Sequence, residues 1–318
     1  MVDDELKAMR RMTAEMQKWT LKSIESVPAK AKAVSVEVSD GCSVTSWFHP
    51  ASKAGAPVLF EVHGGGFVLG DARKEDALCE WIRDSFDVNV VGVNYRLVPE
   101  YSFPTQLNDV VETARFYAQH ADEYGIDPRN AYFMGYSAGA ALSVGAAFEL
   151  ADDSTLAIRG LLLHYPFLDA SRDPASAPSR EIDLPIEMMR AFNAWYAADA
   201  DPAQPLLSPV YATDEMLRGL PRTIMCPVEG DFLFRDATTF AEKLTRAGGE
   251  AVVNPVAGVY HGYIEDAANI RVYEETTMPE TIEARPSGYA EAAGKVLASS
   301  LALLFGKSQL SVAFASEG

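Results

Sequence analysis

The sequence predicts an α/β protein built around a mostly parallel β-sheet, on the basis of three observations. From about residue 57 onward, short apolar runs alternate with longer stretches of helical character. The runs are apolar along their length, which is typical of strands whose sheet is covered by helices on both faces. The chain has 318 residues, 48% of them hydrophobic, so it can bury a sizeable core.

The strands and helices can be assigned in order along the chain. Apolar runs predict strands at residues 58–63, 89–95, 131–136, 160–164, 223–228 and 251–256. Longer stretches predict helices at residues 106–124, 138–150, 237–248 and 289–305. A glycine pair, Gly248 and Gly249, marks the end of the third of these helices.

Two regions interrupt this alternation, one at the start of the chain and one after the predicted strand 160–164. Residues 1–30 have the pattern of an amphipathic helical arm. Residues 169–205 are rich in proline, alanine and aspartate and contain no strand-like run, which predicts a helical insertion over the sheet. The core then comprises residues 31–168 and 206–318, and the irregular stretch 265–287 within it has no assigned structure.

The charge balance argues against a nucleic acid or an anionic membrane as partner. The chain has 27 basic and 45 acidic residues, a formal net charge of −18, and no dominant basic patch.

Residues 130–148 are uncharged and just long enough to cross a bilayer. Their glycines, serines and central turn nevertheless favour a strand followed by a buried helix. The charged first residues lack the apolar region of a secretory signal.

The three cysteines predict neither a disulfide framework nor a metal site. Cys42, Cys79 and Cys226 are far apart, odd in number and in no paired spacing. They are typical of thiols in a reducing compartment, so the sequence predicts a cytoplasmic protein. The sequence has no cluster of cysteine and histidine ligands, and we expect no metal and no cofactor.

The segment GYSAG at residues 135–139 predicts a nucleophilic serine. It lies where the predicted strand 131–136 meets the predicted helix 138–150. In this context a G-x-S-x-G motif forms a sharp turn that exposes the serine, and its glycines avoid clashes between strand and helix. Either the glycines only permit a tight turn, or the turn presents Ser137 as a nucleophile. The strand and helix on either side favour the second interpretation.

A nucleophilic serine needs a base, and chain order leaves two histidines to choose from. In the order serine, acid, histidine the base comes last, and only His164 and His261 follow Ser137. His164 ends an apolar strand soon after the serine, which is typical of a structural histidine. His261 follows the strand 251–256, at the sheet edge where open α/β folds bind ligands. We therefore predict His261 as the base.

The acid is expected between serine and base, in the segment EGDFLFRD at residues 229–236. Asp231 stands just past the strand 223–228, after a glycine that gives it a turn. It is the predicted partner of the base. Glu229 lies closer to the strand and is the alternative, whereas Asp236 is expected to begin the next helix.

The glycine run HGGGF at residues 63–67 predicts an oxyanion hole. Acyl transfer places negative charge on a carbonyl oxygen, and each preorganised N–H donor there contributes about 10²–10³ in rate. Three glycines let the backbone turn its N–H groups inward. Gly64 and Gly65 are the predicted donors, together with Ala138 at a helix N-terminus. A phosphate-binding loop is the alternative, but the glycine and lysine spacing it requires is missing.

Together these motifs resemble the hormone-sensitive-lipase family of α/β-hydrolases, in its bacterial carboxylesterase and acetylesterase branch. The matching pieces are HGGGF at 63–67, YRLVPEYSFPTQLND at 95–109, GYSAG at 135–139, EGDFLFRD at 229–236 and YHGY at 260–263. The resemblance spans about residues 57–305 and implies the α/β-hydrolase fold, with a helical cap formed by the arm 1–30 and the insertion 169–205. The family roles carried over by position are a triad of Ser137, Asp231 and His261 and an oxyanion hole of Gly64, Gly65 and Ala138.

The resemblance implies hydrolysis of small, short-acyl esters through an acyl-enzyme. Acetyl esters of carbohydrates or drug-like alcohols, and amides, are alternative substrates for the same machinery. A non-catalytic ligand-binding relative is a further alternative, although such proteins usually lack a triad or oxyanion member. The expected partner is a small-molecule ester, with no nucleic acid and no membrane. A homo-oligomer joined through an exposed sheet edge is the alternative to a monomer.

Two positions around the predicted nucleophile depart from the family pattern. Tyr136 and Ala140 stand where the family usually has an aspartate and a second glycine. The hydrogen bonding behind the turn must therefore differ from that of the family. In the cap, several apolar side chains could line a substrate pocket, although cap–sheet packing explains their spacing equally well: Met188, Met189, Phe192 and Trp195.

Overall fold

The described residues form an eight-stranded, mostly parallel sheet, which confirms the predicted fold class. The computed structural model describes residues 2–176, 185–265 and 289–307. The strands are β1 (Lys32–Glu37), β2 (Ser43–His49), β3 (Ala56–Val62), β4 (Asn89–Val93), β5 (Ile126–Tyr136), β6 (Ile158–His164), β7 (Arg222–Cys226) and β8 (Ala251–Val253). Their order is β1-β2-β4-β3-β5-β6-β7-β8. Pairing is antiparallel from β1 through β2 to β4 and parallel in the rest of the sheet.

Helices cover both faces of this sheet. Within the described ranges they are α1 (Val2–Glu25), α2 (Asp76–Phe86), α3 (Thr105–Gln119), α4 (Ala121–Tyr124), α5 (Ala138–Glu149), α6 (Ile186–Ala197), α7 (Asp214–Arg218), α8 (Phe234–Arg246) and α9 (Tyr289–Leu304). Alternate residues of β3 divide the core into two layers, because successive strand side chains point to opposite faces. Phe60 belongs to the apolar cluster that includes side chains of α3, α5 and α8, whereas Leu59 belongs to the cluster that includes side chains of α2 and α9.

The parallel strands bring several loops to one edge of the sheet. Val62 at the end of β3 pairs with Gly135 of β5, Tyr136 pairs with His164 of β6, and His164 pairs with Cys226 of β7. The four strands therefore end side by side. Residues that directly follow them meet at their carboxyl edge, which is where open α/β sheets bind ligands.

The sequence prediction missed β1, β2 and α2. Buried and exposed residues alternate along β1 and along most of β2, so these strands lack the continuous apolar runs used to find the others. β2 faces solvent with residues such as Ser43 and Thr45. The predicted helix 106–124 is present but interrupted at His120, which separates α3 from α4.

Two helices lie in the regions that were predicted to form a cap, α1 within the arm and α6 within the insertion, and they are called the cap helices below. These helices contact each other, since the Arg10 guanidinium lies 5.6 Å from the centre of the Trp195 ring. Residues 177–184 of the insertion lie outside the described residues. The same holds for the irregular stretch 265–287 apart from Glu265.

Candidate active site

Ser137 occupies a sharp turn between β5 and α5. Its backbone has φ 51° and ψ −119°, a region that side chains other than glycine rarely adopt. The turn is held on both sides, because the Ser137 N–H donates to the His164 carbonyl at 3.1 Å and its own carbonyl accepts from Phe167 N–H at 3.1 Å. Such conformations persist when surrounding contacts determine them, and they occur often at active sites.

Gly139 lets the turn pack directly on the end of β3. A Cβ atom at this position would overlap the carbonyl oxygens of Val62 and His63. Gly135 is restricted in the same way, because its Cβ would overlap the Gly139 carbonyl. Both glycines of the motif therefore serve close backbone approach, which explains their spacing around the serine.

The structure brings the three predicted triad residues into one hydrogen-bonded chain. His261 Nε2 lies 3.1 Å from Ser137 Oγ, and His261 Nδ1 lies 2.7 Å from Asp231 Oδ2. The Asp231 side chain is 1% exposed and the His261 side chain 28%. With Nδ1–H donating to the carboxylate, Nε2 carries the lone pair that faces the serine hydroxyl.

The alternative acids and bases lie elsewhere. Glu229 is exposed to solvent. Asp236 lies in the first turn of α8, as predicted, where it pairs with Arg172 and accepts from the Leu168 N–H at 3.2 Å. His164 is fully buried, its Nδ1 lies 2.7 Å from the Tyr263 hydroxyl, and burial lowers its pKa to about 3. These contacts suit the structural role predicted for His164.

The glycine loop lies beside the serine turn with unused N–H groups. A Cβ on Gly64 would lie 3.3 Å from the Tyr136 carbonyl oxygen, which places the loop next to the residue before Ser137. The N–H groups of Gly64, Gly65 and Ala138 have no acceptor within residues 2–176, 185–265 and 289–307. They are therefore available to bind an anion, as an oxyanion hole requires.

Both cap helices contact the glycine loop and the residues that follow it, up to Gly70. The Gln17 side-chain amide of α1 donates to the Gly70 carbonyl and accepts from its N–H, both at 2.8 Å. From α6, the Tyr196 ring stacks on Phe67 with a centroid distance of 3.6 Å. The Phe192 ring occupies the space where a Cβ on Gly66 would lie, with its nearest carbon 2.6 Å away. Cap–core packing thus accounts for these aromatic residues.

The buried carboxyl of Glu61, whose role was not predicted from the sequence, lies behind the serine turn. The Tyr136 hydroxyl donates to Glu61 Oε1, and the Cys79 thiol lies 3.8 Å from Oε2. This chain has Tyr136 where the family usually has an aspartate, and the Tyr136 hydroxyl forms a hydrogen bond with Glu61 of the neighbouring strand β3. The available signal was the acid itself, because Glu61 interrupts the apolar run VLFEV. Burial raises the pKa of Glu61 to about 8.

The wild-type protein is expected to lose stability as the pH rises because Glu61 is buried, and replacing Glu61 by glutamine should abolish this loss. With a pKa of 4.5 unfolded and about 8 folded, Glu61 binds a proton in the folded state that the unfolded state releases. Between these values its contribution lowers the free energy of unfolding by about 1.4 kcal/mol per pH unit. Glutamine does not titrate, so the variant should gain stability relative to wild type from pH 5 to 8. Urea melts across this range measure it, and a constant difference between the two proteins would contradict the expectation.

The family comparison identifies the class of this protein. Residues 59–265, more than half of the chain, match the family described as alpha/beta hydrolase fold. The chain belongs to this family, in its hormone-sensitive-lipase branch. The sequence resemblance is thereby confirmed, and the chain is a serine hydrolase of the carboxylesterase class.

Individual relatives agree with this placement. Esterase LipI of Mycobacterium tuberculosis is 31% identical over 231 residues, covering 71% of this chain and 71% of that protein. Ethyl acetate hydrolase of Pseudomonas putida is 30% identical over 226 residues, covering 70% of each chain. Among solved structures, the metagenomic carboxylesterase EstE1 has a TM-score of 0.72 at 27% identity, covering 93% of this chain and 97% of that one. The Pyrobaculum calidifontis esterase has a TM-score of 0.74 at 24% identity, covering 94% and 93% respectively, and shows the shared fold.

None of the helices in the described ranges is both long and apolar enough to cross a membrane. The uncharged stretch 130–148 instead contributes the end of β5 and nearly all of α5, as the sequence analysis predicts.

Proposed function

We propose that this protein hydrolyses small carboxylic esters with short acyl chains, using Ser137, His261 and Asp231 as its triad. The observation that carries the proposal is the hydrogen-bonded chain from Ser137 Oγ through the His261 ring to Asp231, at 3.1 and 2.7 Å. Three N–H groups near Ser137 have no acceptor among the described residues: that of Ala138, the next residue, and those of Gly64 and Gly65 in the loop beside Tyr136. Nucleophile, base, orienting acid and oxyanion donors are the components that acyl transfer requires.

The reaction begins with attack of Ser137 Oγ on the ester carbonyl carbon. As the new C–O bond forms, the hydroxyl proton moves to His261 Nε2, and the Asp231 carboxylate stabilises the imidazolium. The negative charge that develops on the carbonyl oxygen is bound by the N–H groups of Gly64, Gly65 and Ala138. His261 then protonates the alcohol oxygen as the ester C–O bond breaks. Water, deprotonated by the same histidine, hydrolyses the acyl-enzyme.

Two observations support a preference for short acyl chains. Aromatic residues contact both the serine turn and the glycine loop, since Phe167 donates its N–H to the Ser137 carbonyl and contacts Phe67, and Phe192 lies against Gly66. The relative from Pseudomonas putida carries the name ethyl acetate hydrolase, whose substrate has a two-carbon acyl group.

The other proposals carried from the sequence are a cytoplasmic location and self-association through the sheet edge.

The test is hydrolysis of p-nitrophenyl esters with acyl chains from C2 to C12. We expect wild-type turnover of the C2 and C4 esters to exceed that of the C10 and C12 esters. Ser137→Ala is expected to lower kcat by about 10⁶-fold while leaving the fold intact. Ser300→Ala is a matched control, because it removes a buried serine hydroxyl from α9. Its kcat should equal that of the wild type.

Two results would count against the proposal. Equal turnover across the series would remove the short-acyl preference. No turnover by a folded wild type, together with no labelling of Ser137 by a fluorophosphonate, would favour a non-catalytic binding protein. If Ser137 is labelled but no ester is hydrolysed, Ser137 is still a nucleophile, and these esters are excluded as its substrates.

A further inference from the structure

The Tyr95 hydroxyl lies behind the glycine loop and contacts two consecutive carbonyl groups. It donates toward the His63 carbonyl oxygen at 3.0 Å and toward the Gly64 carbonyl oxygen at 3.2 Å. A phenol has one proton, so the two contacts share it as a bifurcated hydrogen bond. Burial raises the pKa of Tyr95 well above its ordinary value of 10. The hydroxyl therefore remains a donor at neutral and mildly alkaline pH.

These two carbonyls belong to the same peptide groups as two of the proposed oxyanion donors. The His63 carbonyl shares its peptide plane with the Gly64 N–H, and the Gly64 carbonyl shares its plane with the Gly65 N–H. A peptide group is planar and trans, so its N–H points away from its C=O. When Tyr95 holds both oxygens on one side, both N–H groups must point toward the other side.

The His63 ring supports the same arrangement. Its Nδ1 lies 2.7 Å from the Gly64 carbonyl oxygen. Burial lowers the pKa of His63 to about 4, so at neutral pH the ring is uncharged and its Nδ1–H donates to this oxygen. The ring stacks on Tyr95 with centroids 4.2 Å apart and an interplanar angle of 11°. Stacking therefore fixes the position of the Tyr95 ring without its hydroxyl, which makes the hydroxyl separable in an experiment.

We propose that Tyr95 is a positioning residue for ester hydrolysis. Its hydroxyl holds the His63 and Gly64 carbonyls so that the Gly64 and Gly65 N–H groups face the developing oxyanion. This inference rests on the proposed function, because it assigns Tyr95 to the same site. Glycine backbones have wide conformational freedom, so without this bond the two donors would sample other orientations and lose preorganisation.

Tyr95→Phe removes the hydroxyl and retains the ring that stacks on His63. We expect kcat for p-nitrophenyl acetate to fall about 10- to 100-fold with KM within about twofold, because the lost alignment matters in the transition state. The rate of Ser137 phosphonylation by a fluorophosphonate should fall by a similar factor. In that reaction the Ser137 oxygen bonds to phosphorus, fluoride leaves, and the serine proton passes to His261. The phosphoryl oxygen needs the same N–H donors.

Tyr117→Phe is the matched control. Tyr117 is fully buried in α3, and its hydroxyl lies 3.0 Å from Ser46 Oγ of β2. The control should lower the melting temperature about as much as Tyr95→Phe and leave both rates at the wild-type value. A Tyr95→Phe protein that loses stability but keeps both rates would overturn the inference.

The measured rates distinguish a failure of this inference from a failure of the proposed function. If the wild type turns over esters and Tyr95→Phe does so equally fast, the role of Tyr95 is wrong and the proposed function stands. If the wild type turns over none of these esters but is labelled at Ser137, the proposed substrate class fails, and the phosphonylation rates alone decide the role of Tyr95. A slower Tyr95→Phe reaction with the fluorophosphonate then supports the positioning role, and an equal rate overturns it.

Discussion

Replacing His261 by alanine is expected to lower kcat for ester hydrolysis by about 10⁴–10⁶-fold. The variant removes the imidazole that lies 3.1 Å from Ser137 Oγ and that we propose takes the serine proton. It leaves the glycine-loop donors in place, and these account for the residual rate above water. The measurement is kcat for p-nitrophenyl acetate, with circular dichroism to show that the fold is kept.

Three further variants make this prediction specific. Asp231→Asn is expected to lower kcat by about 10⁴-fold, because the amide favours the wrong tautomer of His261. The double variant Ser137→Ala with His261→Ala should be no slower than either single variant, since the residues act as one unit. His120→Ala removes a histidine at the end of α3, where its ring contacts the Phe116 carbonyl at 2.8 Å, and should keep wild-type kcat. A loss below about tenfold in His261→Ala would exclude it as the base.

Replacing Gly139 by alanine is expected to destabilise the fold by about 3 kcal/mol and to lower kcat as well. The added Cβ would overlap the carbonyl oxygens of Val62 and His63, which are backbone atoms and cannot rotate away. Relief of the clash requires the serine turn and the end of β3 to separate. The same movement would displace Ser137 from the Gly64 and Gly65 donors, so stability and rate should fall together. Urea unfolding and kcat of the folded fraction measure the two effects.

Gly145 in the same helix provides the matched control for Gly139. A Cβ there would meet Leu107 Cδ1 at 3.0 Å, the end of a flexible side chain that can turn aside. Alanine is also the better helix former by about 1 kcal/mol. Gly145→Ala should therefore keep wild-type kcat and change stability by less than about 1 kcal/mol. If both variants behaved alike, the close approach at Gly139 would not be the cause.

Most of the candidate site could be predicted from the sequence because its residues lie in the loops that follow apolar strands. A buried parallel strand is a recognisable apolar run, and its carboxyl end lies at a known edge of the sheet. Chain order then left few choices, and the structure places Ser137, Asp231 and His261 in contact. The motif glycines were predicted to avoid clashes, and Gly139 lies against backbone oxygens of β3.

The supporting contacts could not be predicted, because they join residues far apart in sequence. Glu61 and Tyr136 are 75 positions apart, and nothing in either local sequence indicates the other. Tyr95 was noted only as part of a motif, since its hydroxyl contacts main-chain atoms that carry no sequence signal. The half-exposed strand β2 was missed for a different reason, because serine and threonine on its solvent face break the apolar run.

Because the Gln17 side-chain amide pairs with the Gly70 backbone, the cap helices cannot be exchanged for those of another hydrolase without affecting the loop that they contact. Engineers who exchange caps between hydrolases aim to alter which substrates enter while retaining the catalytic parts of the recipient. Here the donor cap would also have to supply a glutamine at the position of Gln17 and aromatic rings at those of Phe192 and Tyr196. A chimaera without these groups would inherit a new specificity together with a slower chemical step. Grafting is therefore expected to succeed only when the loop-facing residues of this cap are carried into the new sequence.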